Sequence, residues 1–131
     1  MNIGSLMKYH RLRNGLTQAE LSEGICSVSH LSKIESNKYT PHKETLEDLF
    51  KRMKIAWEIE THVYKNFENK LREFIGYAIY YDLESMENLY MELQKDEEYL
   101  QSTDLLNKYE FYKIRSYFFK TDMIKATQQV L

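Results

Sequence analysis

The chain has 131 residues, a formal net charge of −2, 43% hydrophobic residues and one cysteine, Cys26. This is room for one domain, or a small domain with part of another, and enough apolar content for a packed core. A single cysteine excludes an intramolecular disulfide framework and a cysteine-based zinc cluster, no signal-peptide pattern opens the chain, and no run approaches the ~18 apolar residues of a membrane span, so a cytoplasmic protein with no membrane partner is expected.

The average charge conceals an asymmetry. Residues 1–56 carry nine Lys/Arg against six Asp/Glu, a net of +3, whereas residues 57–131 carry nine against fourteen, a net of −5. A basic front and an acidic back fit a nucleic-acid-binding head joined to a part with another task. With one proline and four glycines in the whole chain, the long patterns of 3.6-residue period predict an all-α fold.

In chain order, the first helix is expected over residues 3–13, with Leu6, Tyr9 or His10, and Leu12 or Arg13 facing inward and Asn14-Gly15 as its stop. Thr17 is a good N-cap, and Glu20 three residues on completes a capping box for a second helix over residues 18–23, closed by Gly24. Ser27 caps a third helix over residues 28–36, with Leu31 and Ile34 inward. A loop from Asn37 to Pro41 precedes a fourth helix over residues 43–53, whose Leu46, Leu49, Phe50 and Met53 share one face. A fifth starts near Ala56 or Trp57.

Beyond about residue 63 the composition shifts, since nine of the eleven tyrosines lie after residue 56. Phe67, Leu71, Phe74, Ile75, Ala78 and Ile79 mark one helix. Met86, Leu89, Tyr90 and Leu93 mark its partner after a turn near Asp82. Leu105, Tyr109, Tyr112, Ile114 and Phe118 mark a third, and Met123, Ala126 and Val130 a fourth. The turn at Tyr81-Asp82-Leu83-Glu84 is echoed at Lys120-Thr121-Asp122-Met123, so two helical hairpins resembling tetratricopeptide repeats are expected, although the 39-residue spacing exceeds the usual ~34 and the signature tryptophan, glycine and proline positions are absent. The plainer alternative is a four-helix appendage. The last residues, Gln128 to Leu131, read as an apolar helix without a capping turn, from which a shortened array with an exposed apolar end is expected.

The second and third helices, short and joined by a tight turn, have the helix-turn-helix arrangement in which the second member lies in the major groove. Its outward face contains Val28, Ser29, Ser32 and Lys33, the candidate base readers. Lys33 can donate to guanine, the serines can donate or accept, and Val28 can meet a thymine methyl. Thr17 and Gln18 at the start of the second helix, and Asn37, Lys38 and Tyr39 in the loop after the third, are the candidate phosphate contacts, with Lys43 a weaker one.

Two stretches, Leu12-Arg13-Asn14-Gly15-Leu16-Thr17-Gln18-Ala19-Glu20-Leu21 and Leu31-Ser32-Lys33-Ile34-Glu35-Ser36-Asn37, resemble the lambdoid-repressor (Cro/C1, XRE) helix-turn-helix family. The resemblance implies a five-helix DNA-binding domain, and a salt bridge between Arg11 and Glu35 as a structural clamp that also orients Arg11 toward phosphate. More narrowly, residues 24–35 followed by an acidic helical half resemble the RNPP peptide-pheromone regulators, NprR- and PlcR-like. That implies a homodimer on a palindromic operator, quorum-sensing control and a signalling peptide on a repeat array, although a groove of about two repeats would be incomplete.

The remaining candidates have plain readings. Cys26 reads as a buried small hydrophobe, and the four histidines (His10, His30, His42, His62) form no ligand pair, so no metal site is expected. Asp96-Glu97-Glu98 reads as a solvated loop, and the tyrosines as interhelix packing. No phosphate loop or nucleophile–base set is present, which leaves neither catalytic residues nor a cofactor to expect. The expected organisation is a helix-turn-helix domain over residues 1–64 and a helical region over residues 65–131. The expected function is a transcriptional regulator binding double-stranded DNA as a dimer. The alternatives are a protein-interaction module with a degenerate head, and a stand-alone phage-type repressor or antitoxin.

Overall fold

The computed structural model describes residues 1–130, save the side chains at positions 119, 123, 124, 126, 127, 129 and 130. Among the described residues there are eight helices and no strand: α1 (Ile3–Arg13), α2 (Gln18–Ser22), α3 (Val28–Glu35), α4 (Lys43–Arg52), α5 (Trp57–Ile79), α6 (Leu83–Gln94), α7 (Glu97–Gln101) and α8 (Leu106–Val130). None is long and apolar enough to cross a membrane.

The first three helices begin where their caps place them. Asn2, Thr17 and Ser27 each accept a backbone N–H of the turn that follows, and Thr17 and Glu20 close the reciprocal capping box. Gly24 follows the end of α2 with φ +74°, a left-handed conformation that costs glycine nothing. Leu46, Leu49, Phe50 and Met53 are all buried, joined by Leu21, Leu31 and Ile34 in one core.

A second core lies between α5, α6 and α8 and contains Phe67, Leu71, Phe74, Met86, Leu93, Leu100 and Tyr109. Helix α1 is the wall between the two. Met7 enters the first core and Leu6 the second. This differs from the expected inner stripe, because Leu12 and Arg13 are exposed and Met7 takes their place. A helix with a core on each side buries two adjacent positions, which a single-stripe pattern does not contain.

The junction between the halves is polar as well as apolar. Glu60 of α5 is only 4% exposed, accepts the Tyr99 hydroxyl at 2.9 Å and lies 3.2 Å from His10 Nε2 of α1. At its rim, Arg13 reaches the Tyr9 hydroxyl at 2.8 Å and Glu98 at 3.3 Å.

Helix α5 is one helix of 23 residues shared by both halves, and residues 64 and 65 lie inside it. Two expectations for the second half are corrected. Asp96-Glu97-Glu98 is not a free loop: α7 starts at Glu97, whose carboxylate takes Lys113 at 3.2 Å. The turn expected at Lys120-Thr121-Asp122-Met123 is absent, because α8 runs through it for 25 residues. At the first site Tyr81 adopts φ +54° and Asp82 caps Ser85, whereas at the second Thr121 Oγ1 donates to the Tyr117 carbonyl at 3.0 Å within a continuing helix. The α5–α6 hairpin is therefore followed by the short α7 and one long helix, with no second hairpin like it among the described residues. The markers expected at Met123, Ala126 and Val130 lie outside the described side chains. Of the other markers of the third helix, Leu105, Tyr109 and Tyr112 are buried, whereas Ile114 and Phe118 are exposed.

Candidate nucleic-acid interface

Helix α3 shows solvent one face. Val28, Ser29, Ser32 and Lys33 are exposed together, at the i, i+1, i+4, i+5 spacing of one helix side, while Leu31, Ile34 and Glu35 are buried on the other. The face combines a cation, two hydroxyls and a small apolar group, a set able to meet base edges.

Glu35 fixes how α3 sits. Its carboxylate accepts Arg11 Nε at 2.6 Å, Arg11 Nη2 at 3.0 Å and Gln18 Nε2 at 2.9 Å, so one buried acid ties α1, α2 and α3 together. Arg11 Nη1 donates to the Leu16 carbonyl at 2.9 Å. The hydrogen bonds to Glu35 hold Arg11 above its ordinary pKa and so firmly charged. Arg11 and Glu35, the pair implied by the resemblance, thus meet as a bidentate clamp. Arg11 is only 8% exposed, with Nε and Nη2 on Glu35 and Nη1 on the Leu16 carbonyl.

The other candidate phosphate residues divide. Gln18 is half-buried and braces Glu35 with one amide hydrogen. Asn37, at φ +59°, turns its side chain back onto α1, where Oδ1 accepts the Gly4 N–H at 3.0 Å. Thr17 is exposed but occupied by its capping box, and Glu20, held below its ordinary pKa by the Thr17 N–H, places a carboxylate in that turn. Lys43 pairs with Glu47 at 3.4 Å. Lys38 and Tyr39 are exposed, and the Tyr39 ring meets His30 edge-on at 4.6 Å, which braces it beside α3.

Two supports escape a reading of the sequence. Arg52 of α4 donates to the carbonyls of Leu21, at 3.0 Å, and of Glu23, closing the C-terminus of α2. Its partners lie about thirty residues away, and no local pattern signals them. The Glu60–Tyr99–His10 junction likewise joins three separate helices. Among the described residues no group of His, Cys, Asp or Glu is placed to hold a metal ion. Cys26 is half-buried against the head core, and burial raises its thiol pKa.

The order of α1 to α4, the capped turn between α2 and α3 and the outward face of α3 accord with one further finding: residues 7–58 match the HTH_3 helix-turn-helix family. They form an HTH_3 domain of the Cro/C1 (XRE) type. No curated protein and no solved structure matches the chain. The HTH_3 match suggests a DNA-binding transcription regulator, from a family that is typically non-enzymatic. The match stops just inside α5, so Glu60 and the second core lie beyond the HTH_3 domain.

Proposed function

We propose that this chain regulates transcription by binding operator DNA as a dimer, with α3 of each HTH_3 domain in a major groove. The observation that carries this is the exposed set Val28, Ser29, Ser32 and Lys33 on a helix locked from behind by Arg11, Gln18 and Glu35. Lys33 is the strongest base reader of the four, because serines discriminate weakly. Lys38 and Tyr39 contact phosphate beside α3, with Thr17 and the remaining donors of Gln18 and Asn37 at the edge of the same surface. The dimer follows from geometry: one such head covers little DNA, and half-sites one helical turn apart need two.

The peptide-pheromone type of control, with a tetratricopeptide-like receptor half and cytoplasmic quorum sensing, rests on the resemblance alone. A single α5–α6 hairpin followed by α8 supports at most a partial groove, so weak or absent peptide binding is the reading we adopt.

Selection of duplexes from a random pool, followed by titration of the winner at two salt concentrations, tests the proposal. An enriched palindrome with affinity falling steeply with salt supports it. No enrichment and no binding at low salt sinks it, and favours an interaction module with a degenerate head.

A further inference from the structure

Helix α8 is apolar on opposite sides. One side places Tyr109 and Tyr112 in the second core, with Ser116 buried beside them, whereas the other carries Phe111, Ile114 and Phe118, which are 58%, 55% and 61% exposed. These three recur at i, i+3 and i+7, a single straight ridge. A helix that is apolar on both sides belongs in an interior, and here only one side has one.

The ridge has a hollow on each flank. Between α5 and α8 a hollow of about 410 Å³ is lined by Ile75, Ile79, Tyr81, Phe111 and Arg115. On the α6 side a second of about 480 Å³ is lined by Tyr90, Ile114, Tyr117 and Phe118. The rim lysines are already matched within the chain, Lys113 by Glu97 at 3.2 Å and Lys120 by Glu87 at 2.7 Å. These two lysines therefore ask for no acidic partner.

We propose that this face is a two-fold contact with a second copy of the chain, α8 crossing α8. A self-contact needs one patch that offers both protrusion and hollow, because each copy must complement itself. Phe111 and Phe118 supply the protrusions and the flanking hollows receive their counterparts. At the exposures seen, the ridge with Ile75, Ile79 and Tyr117 offers about 600 Å² per chain, given roughly 150–250 Å² for a fully exposed aromatic side chain. Two copies bury up to about 1,200 Å² when the whole patch is covered, against the ~1,000 Å² that a specific interface needs. The proposal rests on the dimeric-regulator reading for its purpose, and its evidence is the surface itself.

Sedimentation of the whole chain over a concentration series tests it, with Ile79→Glu in the first hollow, Ile114→Glu in the second and Leu12→Glu as an exposed control on the head. A wild-type dimer is expected, weakened at least ~30-fold by Ile114→Glu and by Ile79→Glu and unchanged by Leu12→Glu, all with the same circular dichroism. A wild-type monomer at every concentration, an Ile114→Glu dimer as tight as wild type, or assembly continuing past the dimer each overturns it. Low-salt binding of a random duplex, measured alongside, keeps the two readings apart. A dimer broken by these variants that binds no DNA upholds the interface and sinks the regulator, whereas a monomer that binds DNA overturns the interface alone.

Discussion

Arg11 and Glu35 meet through two hydrogen bonds, at 2.6 and 3.0 Å, across the back of α3, opposite its exposed face. Because both side chains are buried, removing one strands the other. Arg11→Ala and Glu35→Ala should each cost ~3–5 kcal/mol, read as a lower urea midpoint with unchanged slope. A loss below about 1 kcal/mol in both variants would mean that the pair behaves like a surface salt bridge and does not hold α3.

Lys33 and Lys38 should separate in a binding assay. Lys33 lies on the exposed face of α3 and Lys38 in the loop beyond it. Lys33→Ala is expected to cost ~1–3 kcal/mol on the selected operator and to relax preference at one base position, whereas Lys38→Ala weakens all sequences alike and lowers the salt slope by about one. If Lys33→Ala weakens selected and random DNA equally, it has no part in base reading.

Gly4 marks a tight crossing of α1 and the end of α3. A β-carbon there would stand 2.1 Å from the Ile34 carbonyl oxygen and 2.5 Å from Asn37 Oδ1. The first neighbour is backbone and cannot swing away. Gly4→Ala should therefore destabilise the protein by about 1–3 kcal/mol despite the better helix propensity of alanine. A higher melting temperature for this variant would show that the crossing is looser than the geometry here.

Alkaline pH should unfold the helical half. Burial, aided by neighbouring carboxylates, raises the pKa of Tyr64, Tyr99 and Tyr109 far above the ordinary 10.0, and burial raises that of Tyr112 as well. For Tyr99 the carboxylate is that of Glu60. The native state keeps protons that the unfolded chain releases, so this stability is whole below about pH 10 and is lost as pH rises beyond it. Tyrosinate absorbance should rise in two phases, the second coincident with loss of helix by circular dichroism. A single smooth titration that leaves the fold intact would contradict the burial of these phenols.

The local grammar of the head is legible in the chain. Asn14-Gly15, the Thr17–Glu20 box, Ser27 and the Leu46 to Met53 stripe each act within one or two turns of helix, where neighbours in sequence are neighbours in space. The outward residues of α3 follow from the same spacing. Gln18 and Asn37 show the limit: as polar residues flanking the exposed helix α3 they look like surface contacts, yet each turns a hydrogen bond inward to a partner 17 or 33 positions away.

Whether a helix stops is the other matter that only tertiary structure decided. Tyr81-Asp82 and Thr121-Asp122 look alike as strings. The first breaks where Tyr81 turns left-handed and Asp82 caps the next helix, whereas at the second the helix continues, with the Thr121 hydroxyl donating to the Tyr117 carbonyl one turn back. Caps and stripes are local and are specified by the residues themselves. The sharing of α1 between two cores, the joining of both halves along α5 and the burial of Glu60 against Tyr99 and His10 depend on which distant side chains arrive, and that is settled only when the helices pack.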